Sequence, residues 1–309
     1  MAVRDILANN VLMMTIAFIT GFAVGGFPAF NSELAMVSLV LVMSLSLGGL
    51  SLRGLDPRNN LRATAVALLL SFGLSSAVTL LMGFFFDGQI RLGWIVLAAV
   101  PSAIAVIPFT YMLKGDLQFS LVSSTMLYVL ALVITPLMTL IFVGAAISPM
   151  TVLWYVAILI FLPMVLSRGL KRMPLSGRSR MIAVNLSFFV LTFAVTGTNR
   201  DAFLGNVTLV AALLLVATMR TFAVGGVVEW IARRFNVSRE QRIPMVLFAT
   251  YKNTGMAAAL AVALIGSEAA IPATVCLALE IVCFYALTKV LYPRQAQERM
   301  AESASKAEA

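Results

Sequence analysis

Towards the end of the chain, Tyr251-Lys252-Asn253-Thr254-Gly255 interrupts a run, RIPMVLFATYKNTGMAAALAVAL (residues 242–264), that is otherwise apolar enough to cross a bilayer. A charge at the centre of a membrane helix costs about 2.5 to 3.5 kcal/mol on insertion scales, so a lysine beside Asn, Thr and Gly there marks a candidate binding or coupling site. Lys252 lies too far from either end of the run to snorkel easily to an interface. The plainer alternative is a lysine that pairs with a carboxylate only to hold helices together. Two more ionisable residues lie deep in apolar segments, Arg220 in VATMRTFAVGG and Glu280 in CLALEIVCF. A Lys252–Glu280 pair would lower the cost of both charges, and Arg220 could replace Lys252 as the partner. Glu229 lies near the end of its segment and needs no such account. Asn253, Thr254, Thr110, Ser120 and Ser124 are the polar side chains placed to orient a solute or to close helix breaks.

Other chemistries are poorly served by this residue set. Histidine is absent, which removes the ligands of an HExxH zinc site and the base of a Ser-His hydrolase. No span carries an aspartate and there is no DxxD, so the paired acids of a magnesium-diphosphate transferase are missing. Cys276 and Cys283 lie seven apart in one apolar segment, where they share a helix face and imply neither a disulfide nor a metal. The expectation is a protein with no catalytic residues, no metal and no cofactor.

The elements that must hold these residues are membrane helices. Of the 309 residues, 61% are hydrophobic and 11% charged, with mean hydropathy +0.99, beyond what a water-soluble core needs. At about 20 apolar residues per crossing, ten spans are expected, near 11–30, 34–52, 63–86, 92–113, 118–143, 147–167, 181–197, 203–230, 243–265 and 269–291. The alternating ten-residue strands of a barrel are not seen. The first span is long and lacks a small-residue cleavage pattern, so no cleavable signal peptide is expected. The net charge of +9 could suggest nucleic acid, but its distribution argues for topology. Eighteen of the 22 Lys and Arg fall at the termini and in the even-numbered gaps, whereas only Arg91 and Arg200 fall on the other side. That asymmetry predicts a multi-pass protein of the cell membrane with both termini in the cytoplasm.

Along the chain, Gly25-Gly26-Phe27-Pro28 closes the first span, and the short gap after it predicts a hairpin of spans one and two. Residues 53–62, RGLDPRNNLR, read as a basic cytoplasmic loop with one amphipathic turn. Span three carries Ser71, Gly73, Ser75 and Ser76, small residues that let membrane helices approach closely. Span four holds Pro101-Ser102 and Pro108, each proline removing a donor from the helix ladder. In lipid such a break is tolerated only where protein or a water-lined cavity satisfies the freed groups. The basic connection 168–180 divides the chain into two sets of five spans, and an odd number makes the second set enter from the opposite side. The fourth span of each half, 92–113 and 243–265, is the interrupted one, so Pro101, Ser102, Pro108 and Gly255 are the expected helix-break residues. Paired broken helices of this kind point to a midplane substrate site. The fold class expected is an all-α polytopic membrane protein of ten helices in two inverted five-helix repeats, with discontinuous helices 4 and 9 crossed.

The stretches MSLSLGGLSLRGLDP, PSAIAVIPFTYMLKGDLQFSLVSST and TYKNTGMAAALAVAL resemble the bile acid:sodium symporter family, within the superfamily of bile acid, arsenite and auxin-type carriers. The resemblance runs from about Met43 to Gly144 and again from Arg220 to Lys289, and its most specific element is Asn253-Thr254-Gly255 with the alanine-rich continuation. It implies panel helices 1 and 2 in residues 1–62, core helices 3–5 in 63–145, panel helices 6 and 7 in 146–200, core helices 8–10 in 201–292, and a cytoplasmic tail at 293–309. Transport would proceed by alternating access of core against panel. In sodium-coupled relatives a Ser-Asn pair in the fourth-span break, and a Glu and a Gln flanking the ninth, ligate sodium. Here Val106 and Ile107 stand for Ser-Asn, Phe248 for Glu and Lys252 for Gln. Hard cations need several oxygen ligands, so sodium coupling is disfavoured and the ammonium of Lys252 is expected to occupy the coupling cation's place. A lysine that releases its proton during the cycle would make the proton the coupling ion; one that does not gives a uniporter or exchanger. The resulting expectation is a secondary active or facilitative transporter of a small organic anion, with no nucleic-acid partner. The alternatives are a sodium-coupled symporter of the same family and a non-transporting membrane sensor.

Overall fold

The computed structural model describes residues 3–48, 61–144, 148–173 and 176–293. The expected loop at 53–60 and the tail at 294–309 lie outside them. The described residues are helical throughout, without strands, and a single antiparallel bridge joins Ser102 to Lys252. We number the principal helices α1 (Asn10–Val24), α2 (Asn31–Gly48), α3 (Leu61–Gly83), α4 (Gly88–Ala99), α5 (Val106–Met112), α6 (Leu117–Val143), α7 (Pro149–Leu170), α8 (Gly177–Thr198), α9 (Val207–Arg234), α10 (Arg239–Thr250), α11 (Thr254–Leu264) and α12 (Ser267–Leu291). Six of them, α3, α6, α7, α8, α9 and α12, are long and apolar enough to cross a membrane. The molecule is a polytopic membrane protein.

Local sequence sets the helix ends. Asn9, Asp116, Ser176, Asn206 and Ser238 each accept a hydrogen bond from the amide three residues on, closing orphan donors at the starts of α1, α6, α8, α9 and α10. At the other end of α1, Gly25 and Gly26 take φ of +93° and +81°, the left-handed region that glycine enters without a Cβ penalty. The reversal that follows is held by Asn31, whose amide accepts from the Phe27 N–H and donates to the Phe27 carbonyl.

The reversal does not make a hairpin of α1 and α2. Both pack chiefly on α8 instead, because Gly197 of α8 meets the backbone of Gly25 and Gly26 so closely that a Cβ there would lie 2.1 Å from the Gly26 nitrogen. The second half of α7 packs on the other side of α2. A second group gathers α3, α4, α6 and α9 to α12. Helices α3, α7, α9 and α12 each contain a π turn, at Leu69–Ser75, Ala157–Phe161, Met219–Ala223 and Leu287–Leu291. Such a turn inserts one extra residue and re-aims the side chains around it. The turn in α9 carries Arg220, and that in α3 carries Ser71 and Ser75.

Glu229, near the end of α9, is buried rather than a surface charge. It accepts from Arg233, Arg242 and the Tyr292 hydroxyl, tying together the ends of α9, α10 and α12. Burial and this carboxylate push the Tyr292 phenol well above its ordinary range, so it stays a donor.

Candidate functional site

Two helices break, and the breaks meet. Pro101 offers no N–H and its ring disfavours a helical residue before it. Val100 is accordingly extended, at φ −78° and ψ 155°, and α4 ends at Ala99. In the other segment no proline acts. Tyr251 is extended at φ −97° and ψ 108°, and Asn253 starts α11 by accepting from the Met256 N–H at 3.0 Å. The two unwound stretches pair antiparallel: the Asn253 N–H donates to the Pro101 carbonyl at 2.8 Å, and the Ala103 N–H to the Tyr251 carbonyl at 3.1 Å. Each break therefore supplies part of the backbone partners the other lacks.

Side chains close the remaining carbonyls at the two helix ends. The Lys252 ammonium donates to the carbonyls of Ala98 (3.0 Å) and Val100 (2.8 Å) and to Ser76 Oγ (2.8 Å). An ammonium has three N–H donors, and each finds an acceptor. Nζ also lies 5.1 Å from the centre of the Phe72 ring, within cation–π reach. Thr135 donates to the Ala99 carbonyl at the same end of α4. At the end of α10, Arg220 Nη2 donates to the Thr250 carbonyl at 3.2 Å and Nε to Thr79 Oγ1 at 3.1 Å. Ser102 Oγ lies 3.0 Å from the Phe248 carbonyl, which is freed when the helix ends. A cation thus sits at the negative, carbonyl end of each half-helix, where the helix dipole favours it.

One carboxylate lies between the cations. Glu280 Oε1 is 3.5 Å from Arg220 Nη1 and accepts the Lys252 backbone N–H at 3.2 Å, while Oε2 is 3.4 Å from Thr254 Oγ1. Of the two pairings open from sequence, the salt bridge is the one with Arg220. The Lys252 side chain points the other way, towards α3 and α4, and meets Glu280 only through its main chain.

Beside the crossing is a cavity of about 40 Å³, room for a few water molecules. One wall comes from α1, α2 and α8, through Met14, Leu39, Met43 and Phe188, and the other from the crossing, through Ala103, Ile104, Tyr251, Asn253, Thr254, Gly255 and Glu280. Of the sequence candidates, Asn253, Thr254, Gly255 and Glu280 line it; Lys252, Arg220, Thr110, Ser120 and Ser124 do not. Thr110 and Ser120 are buried and hydrogen-bonded to each other at 2.7 Å, and the buried Ser124 hydroxyl has no hydrogen-bond partner among the described residues. Val106, Ile107 and Phe248 are buried, and Phe248 packs on the Phe119 ring. Among the described residues, no three His, Cys, Asp or Glu gather into a metal-binding group.

Two expected break residues fall outside the breaks. Pro108 is the third residue of α5, where the amide has no intrahelical partner to lose. Gly255 is the second residue of α11, facing Leu191 of α8. Conversely, Ser76, Thr79, Tyr128 and Tyr251 join the site without having been singled out as ligands. Tyr128 OH accepts from the Asn253 amide at 2.9 Å, and Tyr251 OH donates to the Glu280 carbonyl at 2.9 Å. The signal lay with the lysine, because a buried ammonium demands three acceptors; it did not single out Ser76 from Ser71, Ser75 and Thr79 of the same helix.

No curated protein matches the chain. The model of the SBF-like CPA transporter family matches residues 11–289, a stretch that takes in both broken helices and every cavity-lining residue named above. That match covers most of the chain, and the chain belongs to the SBF-like CPA transporter family.

Proposed function

We propose that the protein is a secondary active or facilitative transporter of a small organic anion, working by alternating access, in which the Lys252 ammonium does at the helix crossing what a coupling sodium does in bile acid:sodium symporters. The observation that carries this reading is the three-acceptor seat of Lys252 on Ser76 and the carbonyls of Ala98 and Val100. A fixed cation there holds the crossing closed with no metal. Val106, Ile107 and Phe248 offer no side-chain oxygen to sodium.

In this reading ten helices form two inverted repeats, with α4–α5 and α10–α11 as the discontinuous fourth and ninth. Helices α1, α2, α7 and α8 are the panel, and the others are the core that rocks against it. Both termini lie in the cytoplasm, and the membrane is the cell membrane. The solute binds where the cavity lies, between panel and crossing. An anionic group is favoured there by the positive end of the α11 dipole, which Asn253 and Thr254 bring to the cavity wall. The cavity, at about 40 Å³, must widen to admit an organic molecule.

Flux of radiolabelled organic anions into proteoliposomes tests this, with and without sodium and with and without a pH gradient. Uptake that ignores sodium and is abolished in Lys252→Ala supports it. Uptake driven by the pH gradient would add the proton as coupling ion, and uptake indifferent to the gradient would mean a uniporter or exchanger. Strict sodium dependence, or full activity in Lys252→Ala, would overturn it. Thermal stabilisation by an anion with no net flux would point instead to a sensor.

A further inference from the structure

The rim around Glu229 is rich in charge that transport does not use. Arg233 and Arg234 lie at the end of α9, Arg239, Glu240 and Arg242 at the start of α10, and Lys289 near the end of α12. Arg233 and Arg242 share Glu229, and the Arg233 side chain is still 54% exposed. The Arg239 guanidinium lies over the Tyr292 ring.

Below this rim a groove of about 180 Å³ runs between the same three helices. It is lined on α9 by Thr221 and Gly226, on α10 by Val246 and Thr250, and on α12 by residues from Cys283 to Leu291. At 1.5 Å per residue that lining is about 12 Å long, within the ~15 Å depth of one leaflet's hydrocarbon. Val246 lies one turn beyond Arg242, and Gly226 two turns before Arg233. On α9 and α10 the lining thus begins about 6 to 10 Å below the arginines along the helix axes, and on α12 it reaches Leu291, next to Tyr292 at the rim. Its walls are apolar, and exposed Val227, Val282, Tyr285 and Val290 lie on the same helices. An occupant must be narrow, apolar along its length and anionic at the rim. A protein helix, about 10 Å across, is too wide.

We infer that this groove binds one acyl chain of an anionic phospholipid, with the phosphate at the basic rim. The deep end of the chain reaches Thr221 and Thr250, whose neighbour and carbonyl are Arg220 and its acceptor, so the lipid braces the α9–α10–α12 side of the crossing. This site is separate from the solute cavity and shares no lining residue with it.

Thermal unfolding of the full chain in detergent tests the assignment, with added phosphatidylglycerol, phosphatidylcholine of the same chains, or glycerol phosphate. Phosphatidylglycerol is expected to raise the midpoint by about 3 °C at tenfold excess over its dissociation constant, with little effect from the other two. A Cβ at Gly226 meets nothing within 4 Å, so Gly226→Leu places its side chain in open groove. That variant is expected to unfold normally in detergent and to lose most of the lipid shift. Val290→Trp, at the exposed mouth, is expected to do the same, and Arg234→Gln with Lys289→Gln is expected to bring phosphatidylglycerol down to the phosphatidylcholine response. Equal shifts from both phospholipids would overturn the proposal. So would the full shift from glycerol phosphate alone, or an undiminished shift in both groove variants.

Discussion

Lys252 shows how a costly residue can become a structural necessity. Replacing it by methionine keeps the methylene chain and removes three donors, leaving the Ala98 and Val100 carbonyls buried without that partner. Ser76 still donates to the Ala98 carbonyl, so at about 1 to 3 kcal/mol for one stranded carbonyl, Lys252→Met is expected to lose roughly 1 to 3 kcal/mol of stability, offset in part by the removed burial of a charge. A lowered unfolding midpoint in detergent would register it, and an unchanged one would mean that the ammonium is not what holds the crossing. The residue itself was legible in the sequence, as were Arg220 and Glu280, because charges inside apolar spans have few innocent explanations. Their pairing was not. Glu280 is 28 residues from Lys252 and 60 from Arg220, and separation along the chain says nothing about which cation a crossed helix turns towards the acid. Nor was Ser76 legible, since a serine in a membrane helix reads first as a small residue for close packing.

Among the elements, the two breaks differ in how they are written. The break at Pro101 is legible because proline forbids the helix; the break at 251–253 carries no such signal and was legible only through its polar run and its matching position in the other half. Pro108 misleads for a simple reason: once α4 has ended, a proline in the first turn of α5 takes no hydrogen bond away. Close approaches of helix backbones were equally hidden. Gly93 of α4 faces the start of α12 so tightly that a Cβ would lie 2.1 Å from the Ala269 carbonyl oxygen. Backbone on both sides leaves nothing flexible to give way. Gly93→Ala is therefore expected to destabilise by about 1 to 3 kcal/mol, whereas Gly169→Ala, with open space around it, is expected to be neutral or slightly stabilising. Chemical denaturation of the pair in the same detergent would compare them directly, and equal stability would mean that α4 and α12 are free to move apart.

At the scale of the whole molecule, the membrane class and the positions of the helices followed from composition and hydropathy, because lipid leaves the backbone so few choices. The grouping of α1 and α2 around α8 did not, since it depends on glycines that meet across 170 residues of sequence. The helix crossing also has an electrical consequence. With Lys252 protonated, as its proposed role requires, it and Arg220 stand against Glu280 alone among the described residues, and about one net positive charge is then fixed to the protein within the low-dielectric layer. Carrying one charge across the full membrane potential is worth about 2.3 kcal/mol per 100 mV, so any displacement of the crossing relative to the field spends a fraction of that. Turnover should then depend on voltage even for a solute that is itself neutral. Capacitive transients on a supported membrane, present before solute is added and diminished in Lys252→Met, are the expected sign, and flux that is flat between −100 and +100 mV would place the crossing at rest in the field while the panel does the moving.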